Sequence, residues 1–188
     1  MTDDMSWKIR DAAERVLKDH DVIGHQTGAK LLAIVYPHEK EAWVLKEWRT
    51  QAGIFSDRYD LIPIDLLQIT TGCMEKAGID NILEFMNDPM PGSCPDEALA
   101  TLWVDEIMST AVSAISGHRG KQPVLVIQKT AALYPVTGPR FLLQQLWDKY
   151  SRAINCLVVI FIPGEIIDPR QYRFLNIREE YLYRGILL

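Results

Sequence analysis

The chain has 188 residues, 48% hydrophobic and 24% charged, a balance that fits one folded globular domain and excludes a disordered or low-complexity polymer. A formal net charge of −5 argues against a broadly basic nucleic-acid-binding surface, although a local basic patch is compatible with it. No apolar run reaches the roughly 18–20 residues of a membrane span, and Met1-Thr2-Asp3-Asp4-Met5 lacks the basic start of a secretory signal, so a cytoplasmic protein with no membrane contact is expected.

The first element is an amphipathic helix over 6–19, with Ser6 as N-cap and Trp7, Ile9, Ala13, Val16 and Leu17 on its apolar face. A loop follows over 24–28. Residues 29–36 (AKLLAIVY) are continuously apolar and end at Pro37, as in a strand buried on both faces. A helix over 38–51 follows, with Gly53 as its stop. Residues 60–65 (DLIPID) predict a short strand that lies at an edge or is irregular at Pro63, because proline cannot donate to a ladder. Residues 66–86 are helical, with a break at Gly72 or Gly78.

Residues 87–95 (NDPMPGSCP) form the clearest loop, able to divide two lobes but too short to separate two full domains; the chain is therefore one domain over 1–188. A long helix over 96–116 carries Leu99, Leu102, Trp103, Glu106, Ile107 and Ile115 at a period near 3.6. A buried strand over 123–128 (PVLVIQ), a loop over 129–138 and a helix over 139–150 come next, with Pro139 suited to a first helical turn. Residues 156–162 (CLVVIFI) make a second buried strand, which Pro163-Gly164 closes, and 182–188 form a last short strand or a tail on the core. Apolar strands alternating with helices predict a three-layer α/β/α fold around a mostly parallel sheet of about five strands.

Cys73, Cys94 and Cys156 show no C-x-x-C spacing, which excludes a zinc knuckle or dithiol motif; Cys156 is expected to be a buried small hydrophobe. In an open parallel sheet, ligands sit beyond the C-terminal ends of the strands. Those ends carry His38, Glu39, Asp65, Lys129, Thr130, Gly164 and Glu165, a set with acid and base groups but no diagnostic spacing. A phosphate loop needs G-x-x-x-x-G-K-[ST] between strand and helix, whereas the turn after the first strand reads Tyr36-Pro37-His38-Glu39-Lys40. Gly117 to Pro123 has the wrong spacing and precedes a strand. A metal nuclease needs [DE]-x-K, but Ile127-Gln128-Lys129 places isoleucine at the carboxylate position. His20, His25, His38 and His118 have no metal-ligand spacing. The loop 134–139 is expected to be a rigid connector, with an anion at the following helix N-terminus as the alternative. No catalytic, metal or cofactor site is therefore assigned, and the chain is expected not to be an enzyme.

The segments Val124-Leu125-Val126-Ile127, Leu133-Tyr134-Pro135, Gly138-Pro139-Arg140, Phe141-Leu142-Leu143 with Leu146, Val158 to Glu165, and Tyr183-Arg184-Gly185 together resemble the BrxB family of bacterial BREX phage-exclusion systems. The resemblance covers about the last seventy residues well. It implies a cytoplasmic role in phage resistance, a fold like a P-loop nucleotide hydrolase without its phosphate loop, and a non-catalytic adaptor that binds other BREX proteins, a PglZ-like phosphatase-fold protein first among them. Binding by an adaptor predicts exposed aromatics and arginines. The candidates are Tyr172, Arg173, Phe174, Tyr181, Tyr183 and Arg184, whereas Trp43 and Trp48 are expected in or near the core. Mixed charge around Arg170, Arg173, Arg178 and Arg184 predicts a salt-bridged face. The alternatives are a degenerate nucleotide-binding or nucleotide-sensing domain and a small hydrolase or nuclease at the strand ends.

Overall fold

A computed structural model describes residues 2–18, 29–55, 57–89, 92–117 and 120–188. His20, His25, His118, the loop over 24–28 and the expected end of the first helix at Asp19 lie outside the described residues, as does the side chain of Leu17. The elements in chain order are α1 (Thr2–Lys18), β1 (Leu31–Tyr36), α2 (Glu41–Ala52), β2 (Tyr59–Asp65), α3 (Leu66–Ala77), α4 (Ile79–Asn87), α5 (Pro95–Ser116) and β3 (Gln122–Gln128). There follow α6 (Pro139–Gln145, continued by a π turn, Leu146–Tyr150), β4 (Leu157–Asp168), β5 (Gln171–Phe174), β6 (Arg178–Tyr181) and β7 (Ile186–Leu187).

The order β2-β3-β4-β1-β7 is parallel throughout, and β5 and β6 extend β4 as an antiparallel hairpin. The apolar runs are explained by the two faces of this sheet. Leu31, Ala33 and Val35 of β1 enter one core with Val158, Ile160 and Ile162 of β4. Leu32, Ile34 and Tyr36 enter the other with Val159 and Phe161. Alternate side chains thus feed two cores, so both faces of the strand call for apolar side chains. The second core is covered by α1 and α2, and the first by α3, α5 and α6. This is the three-layer α/β/α arrangement, with a mostly parallel sheet.

Several local expectations change. The first helix begins at Thr2, so Ser6 lies inside it and is no cap. Its packed face is Met5, Ile9, Ala12, Ala13 and Val16, and Trp7 is 53% exposed. The break after α3 is at Gly78, whose φ of 83° suits a residue without Cβ. Gly53 continues α2 into a short 3₁₀ turn instead of stopping it. Pro63 sits in β2 at the edge of the sheet, as its chemistry requires. By length and composition α5 is apolar enough to span a membrane. One side of it, including Trp103, Val104, Ile107 and Met108, is buried in the first core, while Leu102, expected on that face, is exposed.

The largest departure concerns β4. It does not close at Pro163-Gly164 but runs on to Asp168. Up to Pro163 it pairs in parallel with β1; from Gly164 it pairs antiparallel with β5. A Cβ on Gly164 would collide with the carbonyl of Arg173, so glycine is what permits this close approach. The Leu175 N–H donates to the Pro163 carbonyl at 2.8 Å and secures the switch of partner. The last strand is present, though only two residues long, and lies beside β1.

Candidate functional site: an arginine–tyrosine groove

The candidate site is built from two segments that are distant in sequence. Along α6 and its π turn, Arg140, Leu143, Gln144, Trp147 and Asp148 recur at the spacing of one helical face. Opposite them runs the chain from Tyr181 to Arg184. A groove of about 420 Å³ lies between the two segments.

The seam that positions them is a buried carboxylate. Glu180 on β6 accepts from the Tyr172 hydroxyl at 2.8 Å and from the Arg140 backbone N–H at 2.9 Å. It therefore satisfies a first-turn donor of α6 and ties that helix to the hairpin. Gly138 leaves room for it, since a Cβ there would strike the Glu180 carboxylate. The anion-binding alternative for the loop over 134–139 thus has an internal answer: the helix terminus receives the chain's own glutamate. Burial, and then the Glu180 charge, raise the Tyr172 phenol far above its ordinary pKa. The hairpin turns through Leu175 and Asn176, both left-handed (φ 53° and 60°), with the Ile177 N–H donating to the Phe174 carbonyl.

Tyr172 and Phe174 are fully buried, which corrects their expected exposure. The pleat explains it. Alternate residues of β5 turn inward to the core that also holds Leu182, while Arg173 between them points outward. Arg173 is ion-paired to Glu165 and to Glu179, the latter at 3.1 Å. It supplies the expected salt-bridged face, but it is the only arginine of its cluster to do so among the described residues. Tyr181 (46% exposed), Tyr183 (65%) and Arg184 do reach the surface, and all three line the groove. The Arg140 guanidinium stacks on the Tyr183 ring, 5.2 Å from its centroid, and donates to its hydroxyl at 3.0 Å. Arg178 donates to the Pro135 carbonyl at 2.9 Å and lies 5.9 Å from the centre of the Tyr134 ring. Trp48 is buried, packed edge-on against Phe161, and Trp43 is half-buried, in keeping with their expected core positions. Arg140 and Trp147 were not among the residues that sequence pointed to. Their shared helical face was legible, but not the segment it would meet.

The strand ends assemble only part of the expected polar set. The connections leaving β1 and β3 pass to opposite faces, so the crevice lies around the ends of these strands and β4. Lys129 directly follows β3 in a left-handed conformation (φ 58°, ψ 42°) and pairs with Asp65 at 2.9 Å. Asp65 also caps α3 by accepting from the Gln68 N–H at 3.2 Å. The hydrogen bond to Asp65, and then its charge, raise the lysine pKa and so favour its ammonium form. An open hollow of about 570 Å³ borders this pair and is lined further by Gln68, Thr71 and Glu75. Tyr36 donates to Glu41 at 2.7 Å. Buried Thr130 donates to the Phe161 carbonyl at 2.8 Å and so braces β4. His38 and Glu39 are exposed, 3.4 Å apart. Gly164 and Glu165 are drawn away into the antiparallel extension. Among the described residues no three His, Cys, Asp or Glu side chains converge to hold a metal ion.

Compared with known protein families and with curated proteins, the sequence matches none.

Proposed function

We propose that this chain is a non-catalytic adaptor of a BREX-type anti-phage complex in the cytoplasm. Its partners are then other BREX proteins, first a PglZ-like one. The observation that carries the reading is the groove, where exposed tyrosines and arginines, the residue types of binding hot spots, stand on a helix and a hairpin tied together by Glu180. The resemblance of the C-terminal segments to BrxB supplies the identity of the partners.

The test is affinity purification of the full chain, tagged at its N-terminus, from its native host, with mass spectrometry of what co-elutes. A PglZ-like protein or other BREX component in near-stoichiometric amount supports the reading, and a partnerless monomer overturns it. Tyr183→Ala combined with Arg184→Ala should reduce recovery while leaving the fold intact. Tyr172→Ala is unsuited to this purpose, because Tyr172 belongs to the core.

A second reading rests on the Asp65–Lys129 pair beside its hollow: a degenerate nucleotide-binding site, or a hydrolytic one, at the strand ends. A ligand that binds the folded state must stabilise it. Thermal melting with millimolar ATP, GTP or a dinucleotide should show an increase that Lys129→Ala abolishes. No increase with any of them removes the nucleotide reading.

A further inference from the structure

Among the described residues β6 has a neighbour on one side only, β5. The Leu182 N–H donates to the Arg170 carbonyl, continuing the register in which Gln171 faces Tyr181. In an antiparallel ladder the direction of backbone groups alternates, so Glu180 and Leu182 point to β5 while Glu179 and Tyr181 point outward. Nothing among the described residues pairs with that outer edge. The edge leads directly into the groove wall formed by Tyr181 to Arg184.

The charge of the groove is unbalanced in a chain whose net charge is −5. Arg140 and Arg184 line it against one carboxylate, Asp148, and among the described residues neither arginine has a carboxylate partner. Among the described residues the Arg140 guanidinium is engaged by the Tyr183 ring and hydroxyl, which hold its planar fork in place without neutralising it. Arg178, also without a carboxylate among the described residues, stands beside Tyr134 at the other end of β6. An arginine pre-positioned in this way forms strong bidentate contacts with carboxylates.

We propose that this groove receives an extended acidic segment of a partner protein, added as a strand to the outer edge of β6, with its carboxylates on Arg140 and Arg184. Strand addition provides main-chain hydrogen bonds, and the arginines select the side chains. The inference rests on the adaptor reading and names the kind of segment that the adaptor would take. Single-stranded nucleic acid, which also uses aromatics and arginine, is the competing occupant.

The test uses the full-length chain and three labelled probes followed by fluorescence anisotropy: an alternating Val/Glu octapeptide, the same peptide with Lys for Glu, and an oligo-dT strand. The Val/Glu peptide should bind saturably and the Val/Lys peptide should not. Arg140→Gln with Arg184→Gln should weaken the Val/Glu peptide about tenfold or more, the scale of a charge-assisted hydrogen bond. N-methylation of alternate peptide amides should weaken it similarly, without any change to the protein. Tyr181→Pro, checked for folding by circular dichroism, should do the same from the protein side. No saturable binding at millimolar peptide, equal binding of the two peptides, or indifference to both the arginine changes and N-methylation would overturn the proposal. Tighter, steeply salt-dependent binding of oligo-dT would transfer the groove to nucleic acid.

The same arginine double variant, carried through the host purification, separates the two readings. Partners retained undiminished would sink strand addition and leave the adaptor standing. Peptide binding with no partner recovered would do the reverse.

Discussion

Glu180 shows how one residue sets the geometry around it. It is buried, yet it has two donors at hydrogen-bond distance, the Tyr172 hydroxyl and the Arg140 N–H. Removing a partner from a buried donor costs about 1–3 kcal/mol for each group left unsatisfied. Glu180→Ala should therefore lower stability to urea clearly more than Tyr172→Phe, which deletes one hydroxyl and leaves α6 attached. Equal midpoints for the two variants would show that the carboxylate does not hold the helix.

The buried phenols predict a response to alkali. Burial and the adjacent carboxylates, Glu41 for Tyr36 and Glu180 for Tyr172, raise both pKa values, with Arg140 opposing the shift at Tyr172. The unfolded chain releases these protons near pH 10 and the folded one does not, so above that pH the native state holds more protons. Stability is then intact below about pH 10 and falls above it by about 1.4 kcal/mol per pH unit for each tyrosine. Urea midpoints from pH 9 to 11 should show the decline, and Tyr36→Phe with Tyr172→Phe should flatten it.

At the scale of elements, proline and glycine carry the decisions. Pro63 lies in β2, beyond which the described residues add no further strand, and a missing donor discourages pairing with another chain. Pro63→Val should leave the fold in place and increase self-association, seen as a rise in light-scattering mass at high concentration. An unchanged mass would show that β2 is guarded by other means. An edge or an irregularity at β2 was legible because the proline rule is local. The extension of β4 was not. Pro163-Gly164 has the composition of a stop, and only the approach of β5 turns it into a change of partner. Alternation did carry a signal in Gln171-Tyr172-Arg173-Phe174, since period two places Tyr172 and Phe174 on one face and Arg173 on the other. As isolated aromatics they looked like surface candidates, but as a strand they belong to the core.

At the scale of the whole molecule, the sheet is completed by the chain's own last residues. The Val35 N–H donates to the Leu188 carbonyl and the Leu188 N–H to the Ala33 carbonyl, each at 2.8 Å. Gly185 makes the approach possible, since a Cβ there would meet the Leu31 carbonyl. Deleting Ile186 to Leu188 opens the edge of a fully buried strand. It should lower the urea midpoint by a stability of about 1–3 kcal/mol per orphaned backbone group and promote aggregation. A truncated chain as stable as the full one would mean that water serves this edge adequately.

The sequence by itself determined the layered α/β architecture. Continuous apolar strands have one economical solution, a sheet covered on both faces, and that pattern is written locally in β1, β3 and β4. It also narrowed β2 to an edge or an irregular strand, and it brought Tyr181, Tyr183 and Arg184 forward as surface residues. Only the tertiary structure decided that these residues face Arg140 and Trp147, and that Tyr172 and Phe174 turn inward. The physical reason is separation along the chain. Arg140 meets Glu180 across 40 residues and Tyr183 across 43, and contacts at that range are set by how the layers stack, which no local periodicity encodes.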